Sequence, residues 1–287
     1  MKKILLLGDR GKMGTAIKIV FQKDYTVIGK NSSHFNAENF NEVEEMINFY
    51  KPEIVINTIA FMGIDPCERQ PEKALRLNSL FPYFLANLSK KKNFLLVHFS
   101  TDAVFSDSNF EFYTEKHNPC PLNIYGLTKY GGDCFVQNNA DKYYLIRIGI
   151  LFGPTSKKTQ FVEKMLLKIK EGEKELRIAN DIITSPSYNI DIAKKIKELI
   201  ENQYPYGLYH VSNSGKASLF ELMKEIVRVL SLDVDIKIAS YKDFPHVGQK
   251  NRHTPLTSIY LSPMRSWKAA VEEYCINWLS HIKNEIL

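Results

Sequence analysis

Lys3-Ile4-Leu5-Leu6-Leu7-Gly8-Asp9-Arg10-Gly11-Lys12-Met13-Gly14 decides the fold of this chain. The apolar run Ile4–Leu7 has the length and composition of a buried strand and stops at Gly8. Gly8, Gly11 and Gly14 then recur in a GxxGxxG pattern, and a helical pattern runs from Gly14 to about Gln22. A strand, a glycine-rich turn and a helix together form a phosphate cradle. The glycines let the backbone approach a pyrophosphate, which meets the free N–H groups of the helix. The bland alternative is an ordinary strand-to-helix turn.

Outward from this turn, short apolar runs alternate with helical patterns. Strands are predicted at Thr26–Ile28, Ile54–Asn57, Phe94–Phe99 and Tyr144–Ile148. Helices are predicted at Glu42–Phe49, Pro71–Ser89 and Tyr125–Asn138. This alternation predicts an α/β fold, a Rossmann-type doubly wound parallel sheet covered on both faces. Ligands then belong at the carboxyl ends of the strands. The second half is less regular, with helical patterns at Phe161–Glu171, Ile190–Asn202 and Leu219–Leu230 and a strand at Leu208–Val211. We read residues 1–153 as a dinucleotide-binding domain. Residues 154–287 read as a smaller C-terminal substrate lobe with partial return to the sheet. Trp267 and Trp278 are expected to pack a C-terminal helix onto that lobe.

Composition narrows the class. The chain has 287 residues, 44% of them hydrophobic, enough for a large core. No apolar stretch approaches the ~18 residues of a membrane span. The opening MKKILLL resembles a signal peptide only briefly, because the apolar run meets Gly8-Asp9-Arg10 at once. The four cysteines, Cys67, Cys120, Cys134 and Cys275, are scattered with no CxxC, which fits a reducing cytoplasm. The seven histidines show no ligand spacing, so no metal site is read from the sequence. The net charge of +6 suits an anionic small molecule and gives weak grounds for a nucleic-acid partner.

Two further stretches carry chemistry. A dinucleotide site for NAD usually has an acid after the second strand, to hold the ribose 2′-hydroxyl. Residues Gly29–Ala37 contain none; they hold Lys30, Ser32, Ser33 and His34, with Arg10 and Lys12 nearby in the first turn. Cations and hydroxyls suit a 2′-phosphate, so the reading favours NADPH and leaves NADH open. A solvated basic loop is the alternative. Ser100-Thr101 ends the fourth strand, and Tyr125-Gly126-Leu127-Thr128-Lys129 follows. Four residues are one helical turn, so Tyr125 and Lys129 share a face. An ammonium beside a phenol favours the phenolate and lowers its pKa. Tyr125 is the candidate proton donor, Lys129 its tuning partner, and Thr101 a hydrogen-bond donor to the substrate oxygen. Asp102 reads either as a sugar contact or as a backbone cap. Asp65 and Glu68 read as caps of a following helix.

These motifs and others along nearly the whole chain resemble the dTDP-4-dehydrorhamnose reductase family of extended short-chain dehydrogenases. They include GDRGKMG, VINTIAFMGIDPCERQPEKALRLNSLFPYFLAN and HFSTDAVF. They continue with PLNIYGLTKYGGD, RIGILFGP, NDIITSPSYNIDIA and GLYHVSNSGKASLFELMKEI. The resemblance implies NADPH-dependent reduction of the 4-keto group of a nucleotide-linked 6-deoxysugar, for cell-surface polysaccharide synthesis. It places Gly11, Lys12 and Met13 on the pyrophosphate and Lys30, Asn39 and Phe40 around the adenosine. Ala60, Phe61 and Met62 line the cofactor after the third strand, and Phe99 flanks the nicotinamide. Tyr125, Lys129 and Thr101 are the matched catalytic residues, with Thr101 and Asp102 toward the sugar. Family members can dimerise, sometimes with magnesium; the sequence commits to neither.

The chain departs from the family on the substrate side. Ala103 replaces a usual tyrosine, and Ile150 a tryptophan lining the sugar pocket. Thr254-Pro255 replaces an Arg-Pro that would face the diphosphate, which leaves Lys250, Arg252 or His253 to compensate. Sugar and carrier therefore stay open. Two rival readings also stay open: an epimerase or dehydratase with tightly bound NAD, and a non-catalytic NADP-binding regulatory subunit such as that of methionine adenosyltransferase.

Overall fold

A computed structural model describes residues 1–108, 111–155 and 160–279. The first half runs β1 (Lys3–Leu7), α1 (Lys12–Phe21), β2 (Thr26–Lys30), α2 (Phe40–Tyr50) and β3 (Ile54–Asn57). It continues through α3 (Ile64–Arg69), α4 (Pro71–Leu75), a π-helical turn over Arg76–Leu80 and α5 (Phe81–Lys92). Then come β4 (Leu95–Thr101), α6 (Ile124–Asn139) and β5 (Tyr143–Ile148). Next are β6 (Leu151–Phe152), α7 (Phe161–Lys170), β7 (Glu175–Ala179), β8 (Ile183–Thr184) and β9 (Ser187–Tyr188). The described chain ends with α8 (Asn189–Glu201), β10 (Gly207–His210), β11 (Ala217–Ser218), α9 (Leu219–Leu230), β12 (Asp235–Ala239) and α10 (Trp267–Tyr274).

The main sheet has six strands in the order β10-β5-β4-β3-β1-β2, all parallel. The apolar run of β1 is continuous because both faces of the sheet are covered. Leu5 and Leu7 pack with Val43 and Ile47 of α2 and Phe81 and Leu85 of α5. Ile4 and Leu6 belong to the opposite cluster, with Ala16 and Ile17 of α1 and Ile192 and Ile196 of α8. The winding reverses at β1, which has β2 on one side and β3 on the other. The crevice opens at the carboxyl ends of β1 and β3, as the topology of such sheets requires. In the second half, β6 pairs with β9, β8 with β11, and β7 with β12. Among the described residues no helix is long and apolar enough to cross a membrane.

The single helix predicted over Pro71–Ser89 is broken. Pro82 lacks an N–H, and its ring clashes with the carbonyl four residues back, that of Asn78. The chain responds with the π-helical turn, in which the Phe81 N–H reaches the Arg76 carbonyl. The freed Asn78 carbonyl faces Gly132 of α6 so closely that a Cβ there would sit 2.3 Å from it. Gly132→Ala is therefore expected to destabilise the protein by roughly 1–3 kcal/mol, through overpacking. Urea denaturation checks this, and an unchanged midpoint would contradict it.

Candidate active site

Gly8 and Gly14 in the turn after β1 are each fixed by backbone conformation or by packing. Gly8 has φ +90°, a conformation that side chains rarely adopt. Gly14 carries the tightest constraint, since a Cβ there would lie 2.3 Å from the Gly8 carbonyl oxygen and 2.6 Å from Asp9 Cα. Gly11 is the N-cap of α1, with no side-chain cap and no acid in the first turn. The N–H groups at the helix start are thus left for a ligand, and the helix dipole favours an anion there.

Lys12 departs from expectation. Its side chain turns inward and is buried; Nζ donates to the Leu151 carbonyl at 2.8 Å and pairs with Glu163 at 3.0 Å. Burial lowers its pKa, with Glu163 opposing. The Lys12 ammonium thus braces the turn against α7, and only its backbone remains for a phosphate. Arg10, by contrast, is exposed at the turn. The sequence reading also missed an acid beside β2. Asp9 reaches across from the first turn, and a Cβ on Gly29 would meet its Oδ2 at 2.6 Å. Asp9 accepts hydrogen bonds from Asn31 Nδ2 (2.7 Å) and Lys18 Nζ (3.2 Å). Burial pulls its pKa up, but these bonds outweigh it and hold the carboxyl below its usual range.

Around the expected adenosine position, Lys30 Nζ lies 4.9 Å from the centre of the Tyr50 ring. Asn31 closes the loop after β2 by accepting from the Ser33 N–H and hydroxyl. Asn39 is exposed and donates to Glu42. The Phe40 ring stacks on Phe84 at 4.9 Å, with the Arg76 guanidinium 5.3 Å from its centre. After β3, Ala60 and Phe61 are half-buried and Met62 is exposed. Asn78, on the π-helical turn, pins this loop. It accepts from the Phe61 N–H (2.8 Å) and donates to the Phe61 carbonyl (3.0 Å) and Thr128 Oγ1 (3.2 Å).

The catalytic candidates meet where α6 begins. Asn123 caps the helix by accepting from the Gly126 N–H at 2.8 Å, and Glu68 accepts from the Ile124 N–H at 2.9 Å. Glu68 therefore holds α6, not the helix that follows it in sequence. A Cβ on Gly126 would lie 2.2 Å from the Ala103 carbonyl oxygen, so glycine allows α6 to press against the end of β4. That contact brings Tyr125 beside Thr101, whose hydroxyl pulls the phenol pKa down. Thr101 also accepts from the Ala103 N–H (3.1 Å) and donates to Asp102 Oδ1 (3.1 Å). The buried Lys129 donates from Nζ to the Phe99 carbonyl at 2.5 Å.

Burial is the largest influence on the Tyr125 phenol. It raises the phenol above its ordinary pKa, and the nearby Thr101 hydroxyl only partly offsets this. Burial lowers Lys129 to about 8, against the pull of Asp133. The phenol is therefore fully protonated at neutral pH, the state a proton donor needs.

Asp102 is engaged on all sides by hydroxyls. Oδ2 accepts from Thr184 (2.7 Å) and Thr254 (2.9 Å), and Oδ1 from Thr101. Burial raises its pKa while these bonds lower it. The side chain acts as a latch from the end of β4 to the second half of the chain. Thr254, at the position of the missing arginine, is part of that latch. Arg252 is paired with Asp107 (3.0 Å) and Lys250 with Asp65 (2.9 Å). Asp65 also accepts from the Val247 and Gly248 N–H groups, so it holds this strap instead of capping a helix. Ile150 is half-buried beside the main core and its carbonyl accepts the Ser187 N–H. Among the described residues no group of three or more His, Cys, Asp or Glu could hold a metal ion.

A parallel sheet with a winding reversal at a glycine turn, facing a Tyr-Lys helix and a strand-end threonine, defines an extended short-chain dehydrogenase/reductase. The chain belongs to the RmlD substrate binding domain family, whose model matches residues 1–279. Spore coat polysaccharide biosynthesis protein SpsK of Bacillus subtilis (strain 168) is 30% identical over 279 residues, 96% of this chain and 97% of its own. A dTDP-4-dehydrorhamnose reductase from Clostridium acetobutylicum ATCC 824 superposes with a TM-score of 0.90 at 29% identity, covering 96% and 99% of the two chains. Another, from Bacillus anthracis str. Ames in complex with NADP, gives 0.89 at 28% identity over 96% and 99%. The family and the fold expected from the motifs are borne out, and the chain is an oxidoreductase.

Proposed function

We propose that this protein is an NADPH-dependent 4-ketoreductase of a nucleotide-linked 4-keto-6-deoxysugar, working in the cytoplasm to make a cell-surface polysaccharide precursor. Residues 1–153 then carry the cofactor and residues 154–287 form the substrate lobe. The observation that carries the reading is the placing of Tyr125 beside Thr101 at the carboxyl end of β4, with the Lys129 ammonium, one helical turn on, bonded to the adjoining Phe99 carbonyl.

A bound NADPH supplies the hydride. Everything else is done by the chain. Thr101 and Tyr125 hold the keto oxygen between two hydroxyls. The phenol proton passes to that oxygen as negative charge develops on it. A raised phenol pKa keeps this proton in place until an alkoxide is there to take it. Lys129 anchors the ribose hydroxyls and adds positive charge beside the phenol. The preference for NADPH is supported by exposed Arg10, by Lys30 at the end of β2 and by Ser32 and Ser33 after it, where the nearby Asp9 is already engaged by Asn31 and Lys18.

The latch of Asp102 by Thr184 and Thr254 supports a substrate pocket unlike that of the rhamnose enzymes. A panel of 4-keto-6-deoxy sugars on different nucleotide carriers, followed by loss of NADPH absorbance, tests the proposal. Stoichiometric NADPH consumption with at least one sugar is expected, with a lower kcat/KM for NADH. No turnover on any member, or NAD copurifying and never consumed, would overturn it.

A further inference from the structure

We propose that Asp133, kept ionised by Arg147, is the buried counter-charge that keeps Lys129 cationic, and so acts as a positioning residue for the reaction. The inference rests on the reductase reading above and deepens it. Tyr125, Lys129 and Asp133 follow one another at four-residue spacing on α6, so they lie on one face. Lys129 is 2% exposed and Asp133 is 0% exposed. Arg147, on the neighbouring β5, is 2% exposed and donates from Nε to Asp133 Oδ2 at 3.0 Å.

That pair is not the bidentate fork that arginine makes with a carboxylate where recognition is the purpose. Asp133 Oδ1 accepts no well-formed hydrogen bond among the described residues, although Ser100 faces it. Charge is thus left over for a third group, and Lys129 is the cation one turn away. A buried ion pair alone is weak support for a fold. A line of plus, minus and plus, ending at the catalytic lysine, gives this pair a purpose.

The surrounding groups do not compete. His98, on β4, is completely buried, and burial, with Lys129 beside it, drives its pKa well below the ordinary value, so it is neutral. Its Nδ1 bonds Asn57. His210, on β10 near Arg147, is held down to about 4 by burial and is also neutral, with Glu115 accepting its backbone N–H. Tyr130 and Cys134 of α6 lie next to Asp133 and Arg147, and the Cys134 thiol and burial raise the Tyr130 phenol. The far side of Arg147 rests on the Phe105 ring, 5.2 Å from its centre. On Asp133, burial raises the pKa and Arg147 is the main opposing influence. Loss of Arg147 therefore lets Asp133 take a proton, which has the same effect on Lys129 as loss of the carboxylate.

The test is a pH titration of Lys129 in the cofactor-free full-length chain, with lysine labelled at Cε with carbon-13 and the signal assigned by Lys129→Arg. In the wild type the signal is expected to titrate near about 8. In Asp133→Asn and in Arg147→Gln it should titrate at lower pH, with proton affinity weaker by about tenfold or more. The double variant should go no further than either single one, because both act through one carboxylate. Asp133→Glu should restore most of the wild-type value. The alkaline limb of kcat/KM should move with the NMR titration. If a single variant does not fold, the double variant, which leaves neither Arg147 nor Asp133 without the other, must still show the shift. An unmoved Lys129 titration, or additive single effects, would overturn the inference while leaving reductase activity intact. A shifted titration in a protein that reduces no keto-sugar would sink the reductase reading and leave the charge assignment standing.

Discussion

Tyr125→Phe is expected to lower kcat for keto-sugar reduction by about 10²- to 10⁴-fold, the usual contribution of a positioned acid. The affinity for NADPH should be nearly unchanged. The change removes one oxygen and its proton and keeps the ring. Thr101 retains its bonds to Asp102 and to the Ala103 N–H, so the end of β4 should not move. The keto oxygen keeps one hydroxyl and loses its proton source. Steady-state kinetics beside a fluorescence titration of NADPH separates the two effects. A variant with wild-type kcat would show that the proton comes from elsewhere.

Gly14→Val should act on the cofactor instead. The new Cβ would meet the Gly8 carbonyl oxygen at 2.3 Å and Asp9 Cα at 2.6 Å. Both are backbone atoms, so no side chain can rotate away. α1 must back out of the turn, and its N–H groups lose their aim at the pyrophosphate. Strain of roughly 1–3 kcal/mol corresponds to about 10- to 100-fold weaker NADPH binding if it falls on the bound state. Any share that falls on the fold appears as a lower urea midpoint. Gly172→Ala is the control: a Cβ there meets nothing within 4 Å, although its φ of +101° makes some strain unavoidable. Wild-type affinity and stability in Gly14→Val would contradict the packing described for the turn.

The alternation of strand and helix was legible because the inner strands β1, β3 and β4 are buried almost throughout and read as largely apolar runs. The meeting of Thr101 with Tyr125 and Lys129 followed from chain order and helical spacing. What stayed hidden depends on partners remote in sequence. Lys12 reads as a phosphate cation until Glu163 is seen beside it. Asp65 and Glu68 read as local caps, yet Asp65 holds backbone N–H groups 182 and 183 residues away and Glu68 holds the start of α6. The strands β6, β8, β9 and β11 have two residues each, too few for any period to show. The π-helical turn did leave a sign, Pro82 four residues after Asn78 in a helical pattern. Asp133 left a weaker one, as the third member of the Tyr125–Lys129 stripe. Its importance depends on Arg147, which sequence spacing does not connect to it.

The most direct measurement uses NADPH carrying deuterium on the transferable C4 position of the nicotinamide, incubated with the keto-sugar that turns over. Hydride delivery to the carbon held by Tyr125 and Thr101 predicts one deuterium on C4 of the sugar product for each NADPH consumed. A reduced product without deuterium at C4, or an isomerised sugar with the cofactor unspent, would contradict it.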